Sequence, residues 1–285
     1  MKILILGGQG NLGTQLTTIF SQDHEVISWD RGDLDVLDFS LLVEKIRALQ
    51  PAVIINTVAY NAVDKCEEKE EYQLALKLNA ALPGVLADLA QELNAVLIHY
   101  SSDYVFNGTE IKSTFAEEDT PNPINKYGES KFQGEQEILK RAKDGLAYYL
   151  IRTSKLFGPQ GTSAAAKPSF FDIMLNLAQD KKELTVVNEE MSCFTYTPDL
   201  AEATKRLWEL EVPFGIYHLV NEGPCTWYDA VLELLHLAKL KIAVRAVRSE
   251  NLLRAARRPK FSALLNTKVK KMRPWKLALK EYLTN

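Results

Sequence analysis

Short apolar runs and helical patterns alternate through the first half of the chain. Lys2–Leu6, Glu25–Ser28, Pro51–Asn56, Ala95–Ser101 and Ala147–Arg152 read as strands. Their apolar residues run on without polar alternation, which predicts parallel strands covered on both faces. Gln9–Phe20, Phe39–Leu49 and Glu70–Leu93 carry helical spacing between them. In the last of these, Leu74, Leu78, Leu82, Leu86 and Leu89 recur near i, i+3 and i+4, and Pro83 marks a kink or a break. A further helix opens near Tyr127, after the breakers Pro121, Asn122 and Pro123. This alternation predicts the α/β class with a doubly wound parallel sheet. Beyond Arg152 the pattern loosens. Residues 158–168 read as a Gly/Pro/Ser/Ala loop. A helix (Phe170–Gln179), a strand (Glu183–Val187), a helix (Pro198–Leu210), a strand (Gly215–Val220) and a helix (Thr226–Leu240) follow. The pattern predicts no element after Leu240.

Composition adds exclusions. With 285 residues, 46% hydrophobic and 25% charged, the chain is an ordinary globular one. A formal net charge of −3 offers no global field for nucleic acid. Cys66, Cys193 and Cys225 form no CxxC pair, so neither a disulfide scaffold nor a zinc ribbon is expected, and a reducing cytoplasm is the simplest home. No apolar run reaches the roughly 18 residues of a membrane span. Lys and Arg dominate Val244–Lys276, where Glu250 is the one acid. Such a basic lobe suits an anionic small molecule or is a solvated face.

The candidate chemistry starts at Gly7-Gly8-Gln9-Gly10-Asn11-Leu12-Gly13, between the first strand and the first helix. Such a turn lets a phosphate approach the backbone, and the helix N-terminus offers N–H groups and partial positive charge to a pyrophosphate. Asp30, at the end of the second strand, suits the adenosine ribose hydroxyls of NADH. Arg31 beside it suits the 2′-phosphate of NADPH, so both cofactors stay open. Asp38 and Phe39 fall where the adenine edge would sit, and Asp38 reads equally as a helix N-cap. Tyr127 and Lys131 are four residues apart on one helix face. Ser102, ending the fourth strand, falls at the ligand-facing edge of such a sheet. Reduction of a ketone needs a proton donor for the nascent alkoxide. Tyr127 fits that role, Lys131 would lower its pKa, and Ser102 would polarise the carbonyl.

These stretches, with Asn56–Lys65, Ser101–Gly108, Asn125–Lys131, Arg152-Thr-Ser154, Tyr217-His-Leu219 and Arg257-Arg-Pro259, resemble the extended short-chain dehydrogenase/reductases. More closely, they resemble the dTDP-4-dehydrorhamnose reductase family, over nearly the whole chain. The resemblance implies a Rossmann-type sheet. Residues 1–152 would form the dinucleotide-binding domain, a segment near 196–222 would return to it, and residues 153–285 would mainly form a smaller substrate lobe. It implies NADPH- or NADH-dependent reduction of a nucleotide-linked 4-keto-6-deoxyhexose, with a dTDP-linked sugar as the first expectation. Gly7, Gly10, Asn11, Leu12 and Gly13 would hold the pyrophosphate, and Asp30, Arg31, Asp38 and Phe39 the adenosine side. Ala59, Tyr60, Asn61 and Tyr100 would also contact the cofactor. Tyr127 would donate the proton and Lys131 bind the nicotinamide ribose. Ser102, Asp103, Lys155 and Arg258 would meet the substrate. A homodimer is consistent with the family.

The chain departs from the family pattern mainly in its substrate half. Lys155 stands where the family usually has Trp, Ser169-Phe170 where it has Asn-Phe, and Glu189–Thr195 where it has Asp-Gln-x-Gly-x-Pro-Thr. Ser102 replaces Thr. Gln15 replaces an acid that bridges metal-linked dimers, so no metal is expected. Two other readings compete. A sugar-nucleotide epimerase would keep the Tyr–Lys pair, and a dehydratase is disfavoured because no Glu follows Asp103. A nucleotide-binding regulatory subunit, like the methionine adenosyltransferase β subunit, shares the ancestry. His24, His99, His218 and His236 lack ligand spacing, and Trp227 and Trp275 read as packing residues.

Overall fold

The computed structural model describes residues 1–108, 114–164 and 166–284. In chain order the first part comprises β1 (Lys2–Leu6), α1 (Asn11–Phe20), β2 (Glu25–Trp29), α2 (Phe39–Leu49), β3 (Val53–Asn56), α3 (Lys69–Leu76), α4 (Leu82–Glu92), β4 (Val96–Ser102), α5 (Lys126–Ala142) and β5 (Tyr148–Thr153). The second part comprises β6 (Leu156–Phe157), α6 (Phe170–Asp180), β7 (Glu183–Val187), β8 (Met191–Ser192), β9 (Thr195–Tyr196), α7 (Thr197–Glu209) and β10 (Gly215–His218). It continues with β11 (Asn221–Glu222), β12 (Cys225–Thr226), α8 (Trp227–Leu237), β13 (Ala243–Val247), β14 (Met272–Pro274) and α9 (Trp275–Tyr282).

The central sheet has the order β10-β5-β4-β3-β1-β2, and every pairing in it is parallel. Its strands are apolar on both faces because both are covered. Ile3 and Ile5 meet Leu12, Leu16 and Phe20 of α1 and Leu200 and Leu207 of α7. Leu4 and Leu6 point the other way, to Leu42 and Ile46 of α2, Leu82 and Leu86 of α4 and Ile138 of α5. Each such buried side chain contributes about 1.5–3 kcal/mol of transfer free energy. The strand order reverses between β1 and β3, where ligands enter folds of this kind.

The helical stretch around Pro83 is divided. A π turn, Lys77–Ala81, separates α3 from α4. Pro83 has no N–H to return to the preceding turn, and the wider turn absorbs that loss. Beyond Leu240 the structure holds three further elements that the pattern does not predict, β13, β14 and α9. β13 pairs in parallel with β7, but most of its residues are exposed and it carries Arg245, so it lacks an apolar signature. α9 follows β14 and buries Trp275, Ala278 and Leu279 against an aromatic cluster with Phe157, Phe171 and Phe194.

The basic segment is not an open positive face. Arg254 pairs with Glu190, Arg258 with Asp64 at 2.7 Å, Lys268 with Glu118 at 2.7 Å, Arg273 with Asp199 at 2.8 Å and Lys276 with Glu233 at 2.8 Å. Among the described residues, no helix is long and apolar enough to cross a membrane.

Candidate active site

A cavity of about 820 Å³ runs along the carboxyl ends of the central strands, from the glycine turn to Phe194 and Trp227. At its first end the chain leaves β1 through Gly7, at φ +77°. A Cβ on Gly7 would lie 2.7 Å from Thr57 Oγ1. One on Gly13 would lie 2.1 Å from the Gly7 carbonyl oxygen. These two glycines are needed for the turn itself. Gly10 differs: its Cβ would meet only the Gly7 oxygen, at 3.2 Å. Gly10 is also the N-cap of α1 and brings no side chain to cap it, so the first-turn N–H groups of Asn11, Leu12 and Gly13 serve the cavity wall.

Asp30 and Arg31, expected on the adenosine side, both line the cavity. Asp30 accepts from the backbone N–H of Gln9 (3.2 Å) and Arg31 (2.8 Å) and from Ser163 Oγ (3.3 Å). The segment at Gly161 and Ser163 therefore crosses the glycine turn. It is fastened there by Gly161 N–H to Asn11 Oδ1 (2.9 Å) and Asn11 Nδ2 to the Lys167 carbonyl (3.0 Å). Asp38 and Phe39 lie outside the lining. Asp38 caps α2, accepting from Leu41 N–H at 3.0 Å, and Phe39 packs against the core under the sheet. Asp35, Val36 and Leu37 line that stretch instead. Ala59 and Asn61 line the cavity, whereas the side chain of Tyr60 turns away and its hydroxyl donates to Glu71.

Tyr127 sits in the first turn of α5. Asn125 caps this helix, accepting from Gly128 N–H at 2.8 Å. Gly128 lets it press on the 3₁₀ turn Asp103–Val105, since a Cβ there would lie 2.2 Å from the Tyr104 oxygen. This close approach brings Tyr127 of α5 to Ser102 of β4. Burial pushes the Tyr127 phenol up to about 12, and a hydrogen bond with Ser102 pulls the other way. Lys131 is 2% exposed and donates to the Tyr100 carbonyl at 2.7 Å. Burial holds its ammonium down at about 8, and the Glu135 carboxylate opposes that shift. Desolvation dominates, and the phenol is in its acid form at neutral pH. Tyr100 gives its backbone to the site, while its hydroxyl turns to Thr204 Oγ1 at 2.7 Å.

Two groups below the site escape a reading of the sequence. Asn79, in the π turn, is fully buried. It donates to Ser130 Oγ and to the Tyr60 carbonyl, both at 2.9 Å, and accepts from Tyr60 N–H at 2.9 Å. It ties the loop after β3 to the helix that carries Tyr127 and Lys131. The only sequence hint is Pro83, four residues on. The second group is the Glu135–Arg152 pair. Arg152 grips Glu135 with two hydrogen bonds, of 2.9 and 2.7 Å, and Ser101 Oγ donates to the same carboxylate at 2.5 Å. Arg152 is 1% exposed and Glu135 0%. Removing one partner of such a pair strands a buried charge. Arg152→Leu should therefore lower unfolding free energy by about 3–5 kcal/mol, measured by urea titration.

At the far end lie Asp103, Lys155, Phe170, Phe194 and Trp227. Asp103 is buried, accepts from Ser262 Oγ at 2.6 Å and Ser102 Oγ at 3.2 Å, and has its pKa raised by that burial. Trp227 is thus part of the cavity wall. Trp275 and His99 are buried, and His99 is held by Asn56 at 3.1 Å. Arg258 is outside the lining, tied to Asp64 by two hydrogen bonds of 3.0 and 2.7 Å.

A parallel sheet of this order, a glycine turn at its switch point and a Ser–Tyr–Lys group at its carboxyl edge define a Rossmann-type short-chain dehydrogenase/reductase. Within that class the chain belongs to the dTDP-4-dehydrorhamnose reductase family. The family model for the RmlD substrate binding domain matches residues 1–285. The spore coat polysaccharide biosynthesis protein SpsK of Bacillus subtilis is 33% identical, over 99% of this chain and 96% of its own. The solved structure of a dTDP-4-dehydrorhamnose reductase from Clostridium acetobutylicum superposes with a TM-score of 0.90 at 35% identity, covering 100% of this chain and 99% of that one. That of the Bacillus anthracis reductase, in complex with NADP, also gives 0.90, at 29% identity, covering 99% and 98%.

Proposed function

We propose that the protein reduces the 4-keto group of a nucleotide-linked 6-deoxyhexose, dTDP-4-dehydro-L-rhamnose, to dTDP-L-rhamnose, using NADPH or NADH. One observation carries this reading: Ser102 of β4 and Tyr127 of α5 share the cavity wall with a buried Lys131, four residues further along α5. The dinucleotide fits the other end. The open space at Gly10 and the first-turn N–H groups of α1 suit a pyrophosphate, and Asp30 and Arg31 suit the adenosine ribose or its 2′-phosphate. When bound, the reduced cofactor supplies the hydride that forms the new C–H bond at the carbonyl carbon.

The chain's residues do the rest. Ser102 donates to the carbonyl oxygen and polarises it. Tyr127 delivers its phenolic proton to that oxygen as negative charge develops there, leaving tyrosinate. Lys131 stabilises the tyrosinate electrostatically and holds the nicotinamide ribose. Phe170, Phe194 and Trp227 keep water from the sugar end. The three free, buried cysteines support a reducing cytoplasm as the location. Loss of reduced-nicotinamide absorbance on mixing the enzyme with NADPH, or NADH, and enzymatically generated dTDP-4-dehydro-L-rhamnose tests the reading. No loss with either cofactor would refute it.

A pH dependence follows from Lys131. Its pKa of about 8 keeps it cationic below that pH, and it loses its charge above. The Kd for NADPH should therefore be flat up to pH ~8 and weaken as the pH rises further. A Kd constant to pH ~10 would remove Lys131 from cofactor binding.

A further inference from the structure

Lys155 follows β5 at φ +36°, a backbone conformation that non-glycine residues seldom adopt without compensation. It lines the far end of the cavity. Its Nζ is 3.6 Å from the centroid of the Trp227 ring and 5.0 Å from that of Phe194. The indole is fixed in place. A capping box between Thr226 and Asp229 starts α8, and Trp227 Nε1 donates to Glu190 at 3.0 Å. Glu190 is in turn held by Arg254 and Ser249. The aromatic contacts offset part of the cost of burying the ammonium. They accept none of its three N–H donors.

Among the described residues Nζ has no hydrogen-bond partner, although it is buried. The nearby carboxylate of Asp103 is engaged by Ser102 and Ser262. A donor left unused in the cavity wall, on a side chain braced from behind, is a group waiting for an acceptor from the ligand. Beyond its carbonyl, the hexose offers as acceptors its hydroxyls, its ring oxygen and the anomeric oxygen that links it to the nucleotide.

Building on the reductase reading, we propose that Lys155 is a specificity-determining residue, whose ammonium donates to a ring hydroxyl of the hexose and so selects the fully hydroxylated sugar over deoxy analogues. A site built to hydrogen-bond a hydroxyl rejects the analogue that lacks it far more strongly than an apolar wall does.

The test compares kcat/KM for dTDP-4-dehydro-L-rhamnose with that for its 2-deoxy and 3-deoxy analogues, in the wild-type enzyme and in Lys155→Met. The variant keeps chain length and removes the donors. The wild type should discriminate against one of the two analogues by at least ~100-fold. Lys155→Met should narrow that ratio to within about 5-fold, mainly by losing activity on the hydroxylated sugar. The Kd for NADPH, bound at the opposite end, should not move, which also shows that the variant is folded. Discrimination that survives in Lys155→Met, or equal losses on all three sugars, would overturn the inference and leave the reductase reading standing. Absence of turnover by the wild type on every sugar would overturn both.

Discussion

Tyr127→Phe should cut turnover by at least ~100-fold while leaving NADPH affinity nearly unchanged. The ring packs edge-on against Tyr104, with centroids 5.8 Å apart, and Phe preserves that contact. What disappears is the proton. Ser102 cannot replace it, because a Ser hydroxyl is a far weaker acid than a phenol, and its oxygen already accepts from Tyr104 N–H at 3.1 Å. The loss should fall on kcat rather than on KM for the cofactor, since the interaction removed belongs to the transition state. Single-turnover kinetics with saturating NADPH would separate the two. A variant as fast as the wild type would strip Tyr127 of the acid role.

Gly10→Val should abolish dinucleotide binding in a protein that still folds. Its added Cβ meets the chain only at the Gly7 oxygen, at 3.2 Å, a contact that a shift of a few tenths of an ångström relieves. The branches would occupy the space over the first-turn N–H groups of Asn11 and Leu12, where a phosphate must approach. Gly13→Ala provides the contrast. Its Cβ would lie 2.1 Å from the Gly7 oxygen and 2.7 Å from the Gly8 Cα, so it should destabilise the protein itself. Calorimetric titration with NADPH, alongside a thermal melt, reads both effects. A Gly10→Val protein that binds with wild-type affinity would move the pyrophosphate elsewhere.

Much of this was legible because parallel strands and glycine turns leave local marks. β1, β3 and β4 are apolar on both faces, and Phe39–Leu49 has a clear helical period ended by Gln50 at φ +52°. Tyr127 and Lys131 stand out because Pro121, Asn122 and Pro123 before them mark a helix start. What stayed hidden depends on partners far away in sequence. Glu135 looks like any polar helix position until Arg152 meets it from β5. Asn79 looks like a helix residue until the π turn aims it at Tyr60. The positive run from Val244 to Lys276 suggests an anion site, yet Arg258 and Arg273 are answered by Asp64 and Asp199, well over 50 positions earlier in the chain. Trp227 reads as packing, and its platform role follows only from the Lys155 ammonium above it.

The convergence of Ser102, Tyr127 and Lys131 on one reacting carbonyl is most directly tested by a crystal structure with NADP and dTDP-L-rhamnose bound together. The account predicts the Tyr127 hydroxyl and Ser102 Oγ both within hydrogen-bond reach of the hexose O4, with the nicotinamide C4 facing the hexose C4 and Lys131 on the nicotinamide ribose. A complex with the hexose O4 held by other residues, and Tyr127 turned from the nicotinamide, would contradict it.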